Sequence, residues 1–312
     1  VLRPTSAEQV AAAFADARAR GKPVALRGAG CSYGDAATND GGLVLDLSRM
    51  NRLLDFDPAT GVAVCEPGVT VRDLWRRAVS HGFWPRVVSG TMAVSMGGAA
   101  AMNIHGKNAW RTGPIGDSIL EFDLVDASGG LRTCSRGSHP ELFHAAIAGA
   151  GLLGPITRLR LSTKRVHSGD LLVRAKRTAN LAETLDWMES RLAQADYLVA
   201  WIDCFKDGEA SGRGVIHEAR HLRPGEDAEP GRTLRVAHQE LPSRIAGVFP
   251  KSEVWRFLRL ANNDAGMRFV NAAKHLAGEI EERQGWHRQS HAAFAFLLDY
   301  VPRWQWMTKP GG

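Results

Sequence analysis

The stretch that most constrains this chain is Leu26-Arg27-Gly28-Ala29-Gly30-Cys31-Ser32-Tyr33-Gly34-Asp35-Ala36. It follows the strand-like Pro23-Val24-Ala25-Leu26 and is rich in glycine and serine. A loop of this kind turns several backbone N–H groups toward one point, which makes a nest for a phosphate or pyrophosphate. Glycine lets the backbone approach a ligand and take positive φ. The spacing is not that of a Rossmann turn, because the third glycine belongs at position 33, where Tyr33 stands. No Walker A lysine–serine pair is present. Alone, such a loop is equally well an ordinary structural turn.

A second run raises the stakes. It reads Ser89-Gly90-Thr91-Met92-Ala93-Val94-Ser95-Met96-Gly97-Gly98-Ala99-Ala100-Ala101-Met102-Asn103-Ile104-His105-Gly106-Lys107-Asn108. Between Ser95 and Ala101 it is almost free of bulk. Small residues let a backbone lie flat against a large planar ligand, though they also serve close helix packing. Its tail crowds His105, Lys107 and Asn108 into one turn, which packing does not readily explain.

Together the two runs resemble the PCMH-type FAD-binding domain of the vanillyl-alcohol-oxidase superfamily, most nearly its decaprenylphosphoryl-ribose 2-oxidase group. The likeness is strongest from Pro4 to Leu161. It continues more weakly through Trp201-Ile202-Asp203 and Gly212-Arg213-Gly214, which look like substrate-domain motifs of that group. The resemblance implies that the loop at 26–36 wraps the FAD pyrophosphate. It places Gly90, Ser95, Met96, Gly97 and Gly98 along the cofactor, and Met102, Asn103, Ile104 and His105 beside the isoalloxazine. Ile156 is a further FAD contact, and Lys107 lies on the substrate side. Covalent-flavin relatives carry a histidine where this chain has Cys31, so non-covalent FAD is implied, with Cys31 expected to be a small buried residue.

The activity implied is oxidation of a secondary alcohol on a sugar or polyol, such as a polyprenyl-phosphate-linked ribose in cell-wall biosynthesis. A base takes the hydroxyl proton while the carbon-bound hydride passes to flavin. His105 and Lys107 are the catalytic candidates. The electron acceptor would be oxygen, a quinone or a partner reductase. The family continues beyond position 312 with a segment carrying a catalytic-site lysine and an FAD-contacting tyrosine. The chain therefore looks truncated within its substrate domain, which leaves a non-catalytic binding or assembly fragment as the alternative.

Composition narrows the partners. The formal charge is +6, and the arginines are scattered without the aromatic interleaving of single-strand binders, which speaks against nucleic acid. A phosphate-bearing ligand or an anionic lipid surface suits the charge better. No apolar run approaches the ~18 residues of a membrane span, and no secretory leader is visible at Val1. The absent initiator methionine fits a trimmed start. The expected location is cytoplasmic, with peripheral membrane association. The four cysteines are widely spaced, with no CxxC pair, and fit a reduced compartment and core positions.

The pattern predicts α+β: a two-subdomain FAD-binding domain over 1–165, then an incomplete α+β substrate (cap) domain over 166–312. Helices are expected over 6–20 with a Ser6–Gln9 capping box, from Thr70 with Asp73 to near Gly82, from Ser138 with Glu141 through Ile147, and from Asn180. Strands are expected at 23–26, 43–47, 53–56, 62–65, 120–126, 131–134, 156–161, 171–175, 197–203 and 214–219. A charged Pro/Gly loop spans 221–232, and 256–277 reads as helical or irregular.

His217-Glu218-Ala219-Arg220-His221 matches the zinc-protease HExxH pattern, which needs a helix to bring both histidines to one metal. The flanks, Gly214-Val215-Ile216 and Pro224-Gly225, predict a strand, on which the two would stand about 13 Å apart. A zinc hydrolase is the remote alternative, and no metal site is assigned.

Overall fold

Ser6 accepts a hydrogen bond from the Gln9 amide and starts the first helix, α1 (Ala7–Ala19). The reciprocal bond expected of a capping box falls one residue early, because the Gln9 side chain accepts from the Thr5 amide at 2.8 Å. The structure, a computed structural model, describes residues 1–32, 34–245 and 249–307. Its fold is α+β, in two units that divide after Arg165.

In the first unit, α1 buries Val10 and Ala13 against Leu45, Leu47, Met50 and Val125. Leu45 comes from a parallel pair, β1 (Val24–Arg27) and β2 (Leu43–Asp46), registered from Val24↔Leu43 to Arg27↔Asp46. The glycine-rich loop begins where β1 leaves this ladder.

The rest of the unit is an antiparallel sheet. Its strands are β3 (Leu53–Phe56), β4 (Val62–Cys65), β5 (Phe83–Pro85), β6 (Ile119–Val125), β7 (Leu131–Ser135) and β8 (Ile156–Arg165), in the order β3-β4-β8-β6-β7 with β5 also on β8. β8 outruns the expected 156–161 because β5, which carries no alternating signal, pairs with Thr163, Lys164 and Arg165. Four helices complete the unit: α2 (Val71–Val79), α3 (Met96–Ala101), α4 (Ala109–Thr112) and α5 (Pro140–Ala146). Thr70 and Asp73 form a true capping box on α2. α5 departs from expectation: its N-cap is His139 at φ 48°, with no side-chain cap. The Ser138 hydroxyl instead bonds back to the Thr133 carbonyl at 3.3 Å. Trp75 stacks on Trp84 at 5.6 Å and Phe122 on Phe143 at 5.3 Å, giving the core its bulk.

The second unit is built on a four-stranded antiparallel sheet in the order β10-β11-β9-β14, from β9 (Asp170–Thr178), β10 (Tyr197–Ile202), β11 (Gly214–His221) and β14 (His287–Ser290). Its helices are α6 (Leu181–Arg191), α7 (Pro230–Thr233), α8 (Val236–Gln239), α9 (Val254–Leu260), α10 (Asp264–Gln284) and α11 (His291–Ala295). A short pair, β12 (Arg244–Ile245) with β13 (Phe249–Pro250), precedes α9. The expected single stretch at 256–277 is two helices, since Asn263 accepts from the Gly266 amide and caps a new start. The charged loop after β11 gives way to α7 at Pro230.

Polar residues lock this unit. Glu218 is buried and is held by Arg174 at 2.7 Å and Arg191 at 3.1 Å. Asp203 is buried against Arg213 at 3.0 Å and accepts from Asn271 at 2.9 Å, so the Trp201-Ile202-Asp203 and Gly212-Arg213-Gly214 motifs close the β10–β11 hairpin. Asp227 receives Ser168, Thr233 and Arg288.

Candidate functional site

Both glycine-rich runs wall one cavity of about 510 Å³ in the first unit. That volume is in the range of small-molecule and cofactor sites. The two runs touch through Ser95, the N-cap residue of α3. Its hydroxyl makes no cap bond but accepts from the Ala29 amide at 3.1 Å. A Cβ on Gly28 would overlap this hydroxyl, and one on Gly98 would meet it at 3.1 Å. Glycine at these positions is what lets the loop and the helix close on each other.

The backbone of α3 is held from below. The Met96 and Gly97 amides donate to the Val69 and Pro67 carbonyls at 2.7 and 2.8 Å. From the far end of α3, the Ala100 and Ala101 carbonyls accept from Ala148 and Ala150 at 3.2 and 2.9 Å. Both of these alanines have positive φ, 66° and 51°, a conformation that costs an L-residue about 1–2 kcal/mol. The bonds to helix-end carbonyls offset that cost and set the third wall, which runs through Ala150, Gly151, Gly154, Pro155 and Ile156.

Arg27 is the charged side chain of the lining. It folds over Gly30, where a Cβ would overlap its guanidinium. Among the described residues it has no carboxylate partner, so the cavity presents a cation to a ligand. One cation, glycine walls and a flat run of small residues fit the pyrophosphate and planar ring of FAD.

Of the residues expected at the cofactor, Leu26, Arg27, Gly28, Ala29, Gly30, Cys31, Ser32, Ala36, Ser95, Gly97, Gly98, Met102, Ile104 and Ile156 line the cavity. Gly34, Asp35 and Gly90 sit in turns outside the lining, and Tyr33 lies outside the described residues. Met96 corrects the expectation. Its side chain is buried beside Val71, Leu74, Ile115 and Leu161, because it leaves the short helix on the face opposite the cavity.

Asn103 corrects it too. At φ 44° it turns the chain, and its Oδ1 accepts from the Gly116 amide at 2.9 Å. Asn108 has a similar role, donating to the Arg86 carbonyl and the Thr112 hydroxyl. The crowded polar tail is therefore partly a device for holding its own turn. Cys31 is half-buried on the cavity wall and not in the core; Cys65 and Cys134 are buried, and Cys204 is exposed. Burial pushes the Cys65 thiol up to about 12.

His105 is exposed, and neither it nor Lys107 is part of the lining. Lys107 is half-buried, and that burial pulls its ammonium down to about 8. Leu47, Pro67 and Ala146 also line the cavity without any motif pointing to them, as does Val94, which belongs to the second run but is not singled out within it. The glycine-rich turn at 149–154, just past the helix expected through Ile147, supplies Ala150, Gly151 and Gly154.

The HExxH segment lies on β11, not on a helix. His217 pairs with Glu281 at 2.8 Å, while His221 meets the Tyr197 hydroxyl at 3.2 Å. Among the described residues, no group of three or more His, Cys, Asp or Glu side chains is placed to hold a metal. The zinc reading loses its geometric basis.

Comparison with known proteins agrees with the cavity. Residues 1–135 match the family described as FAD binding domain. The chain is 34% identical to the decaprenylphosphoryl-beta-D-ribose oxidase of Mycolicibacterium smegmatis over 63% of this chain and 43% of that protein. It is 29% identical to the L-gulonolactone oxidase of Bos taurus, over 63% of this chain and 43% of that enzyme. Cytokinin dehydrogenase 6 of Oryza sativa subsp. japonica is 32% identical over 52% of this chain and 32% of its own length. The matched segments span less than half of each of these relatives. The cavity and the match point the same way: residues 1–135, which carry both glycine-rich runs, are similar to an FAD binding domain, and FAD is the cofactor that this likeness supports.

Proposed function

We propose that this chain is the flavin-binding part of an oxidoreductase acting on a secondary alcohol of a sugar or polyol, with FAD held non-covalently. The observation that carries this reading is the cavity closed by the Ser95–Ala29 bond, with Arg27 as its cation, two of whose walls lie in the segment that matches the FAD-binding family. The gulonolactone and decaprenylphosphoryl-ribose oxidases among the relatives support a sugar-like substrate, and the latter supports one carried on a polyprenyl phosphate.

In this reading the loop at 26–32 and Arg27 hold the pyrophosphate, and the 95–104 run with Ile156 carries the ring. FAD, when bound, supplies the hydride acceptor. His105 and Lys107 would stand at the substrate edge, a few residues beyond the cavity-lining Met102 and Ile104. An ammonium that titrates near 8 can release or take up a proton close to neutral pH, which suits a group that holds the substrate hydroxyl as its proton leaves. The second unit would serve as the substrate (cap) domain, and an electron acceptor or partner reductase would complete the cycle.

The test is a visible spectrum of the purified chain, repeated on the supernatant after acid precipitation. A flavin spectrum that moves wholly to the supernatant, and is bleached anaerobically by a sugar or polyol substrate, is the expected result. Flavin that remains in the pellet contradicts non-covalent binding. A colourless chain that does not take up added FAD overturns the proposal. A chain that binds FAD but is bleached by no alcohol is a binding module instead.

A further inference from the structure

Segment 148–153 is held differently from the rest of the cavity wall. It runs between two fixed points. On one side α5 ends at Ile147, whose amide still donates to the Phe143 carbonyl. On the other side Gly154 is buried, with the Val125 carbonyl where its Cβ would stand. The Pro155 carbonyl accepts from the Val125 amide at 3.1 Å. Between these points the chain meets water: Ala148 and Ala150 are exposed, and Leu152 at the tip is 88% exposed. Its inner side, through Ala150 and Gly151, lines the cavity.

Two hydrogen bonds fasten the segment across the cavity. The Ala148 and Ala150 amides donate to the Ala100 and Ala101 carbonyls at the end of α3. Among the described residues, no other backbone hydrogen bond joins 148–153 to the unit beyond its own turn. Both donors stand in the left-handed region, at φ 66° and 51°, where an alanine works against its own Cβ. Release of the two bonds therefore also relaxes two strained residues, and the gain offsets part of the loss. The other walls lack this compensation. Ala29, Met96 and Gly97 make the bonds that hold the first loop and the start of α3, and none of them has a positive φ. A dinucleotide that ends behind a wall needs one wall to yield, and 148–153 is the least costly to move.

We propose that 148–153 is a strap that lifts from α3 to admit FAD to the cavity and closes over it, with the left-handed alanines setting how readily it opens. The strap rests on the reading of the cavity as the FAD site, and adds the route in and out. Entry and exit through one strap make both rate constants follow the open fraction. A change at Ala148, which is exposed and outside the lining, alters opening alike with and without FAD. It therefore moves both rates in the same direction and moves affinity less than either.

The experiment follows flavin fluorescence in stopped flow as FAD binds to, and is chased from, the 312-residue chain and two variants. Ala148→Gly relaxes the closed strap, so association and dissociation both slow by about threefold. Ala148→Val sets a β-branched side chain at a positive φ, so both quicken by about threefold or more. Kd moves by less than about twofold in each. Hydrogen exchange gives a second readout: the Ala148 and Ala150 amides exchange about tenfold or more slowly once FAD is bound. Circular dichroism checks the fold of both variants, and if Ala148→Val unfolds, Ala148→Gly carries the rate test alone. FAD uptake at rates that Ala148→Gly leaves unchanged overturns the strap and leaves the cavity reading standing. A change in Kd through one rate only, or equal exchange with and without FAD, does the same. A chain that takes up no FAD overturns the cavity reading, and the strap with it.

Discussion

The Ser95 hydroxyl accepts the Ala29 amide at 3.1 Å, a bond across 66 residues of chain. It joins the two glycine-rich runs into one wall, and it occupies the space that a Cβ on Gly28 would need. The bond therefore ties two walls of the cavity together. Ser95→Ala removes one neutral hydrogen bond of about 1 kcal/mol, so FAD affinity falls roughly fivefold. Gly28→Ala forces Ser95 aside and costs more. Titration of the apoprotein with FAD, followed by quenching of flavin fluorescence, measures both. Equal affinity in the wild type and Ser95→Ala would show that the bond does not shape the site.

Gly154 takes φ 132°, and a Cβ there would overlap the Val125 carbonyl. Gly225 has φ 85° with nothing near its Cβ position. Gly225→Ala meets only backbone strain, about 1 kcal/mol. Gly154→Ala meets strain and a clash with backbone, so about 3 kcal/mol or more is expected. Thermal unfolding of the two variants separates the cases, with Gly154→Ala melting several degrees lower than Gly225→Ala.

Burial lowers Lys107 from 10.5 to about 8. Between those two values the unfolded chain holds the proton more tightly than the folded one, so stability from this group rises with pH across that window. Below about pH 8 the full penalty of a buried ammonium applies. Lys107→Met should therefore be more stable than the wild type at neutral pH, by on the order of 1–3 kcal/mol. The difference should shrink as pH climbs from about 8 toward 10.5. Paired unfolding curves at about pH 7 and about pH 10 test it; a difference that does not change with pH sinks the idea.

Burial works against the Asp227 carboxylate, but hydrogen bonds from Ser168, Thr233 and Arg288 outweigh it and hold the group well below the usual carboxylate range. A depressed carboxyl contributes stability above its unfolded pKa, near ~4, and loses it as pH falls through the folded value. Asp227→Asn keeps the shape but loses the charge that meets Arg288 at 2.7 Å. A loss of about 2–4 kcal/mol at neutral pH is expected, shrinking below about pH 4. Denaturant unfolding at about pH 7 and about pH 3 provides the check.

Local chemistry makes much of this protein legible in its amino acids alone. The Thr70–Asp73 box, the β3–β4 hairpin and the strand character of the HExxH segment each follow from residues within a few positions of one another. So does the clustering of small residues in the two cavity-forming runs. β5 is not legible in this way, because Phe83-Trp84-Pro85 has no alternation and becomes a strand only when β8 pairs with it. Met96 and Asn103 depart from expectation for a related reason: composition shows that a run suits a flat ligand, but not which side chains point toward it.

FAD itself came from resemblance to a known family; the sequence alone determined that two runs of small residues and glycine exist, that one follows a strand, and that they suit a phosphate and a flat ligand. Those are properties of short windows, governed by φ, size and hydrogen-bonding capacity. Only the tertiary structure decided that Ser95 bonds Ala29, that Leu47, Pro67 and Ala150 complete the cavity, and that α10 turns its apolar side outward. Each of these depends on contacts between residues far apart in the chain, such as the Lys176–Glu282 pair that ties α10 to β9.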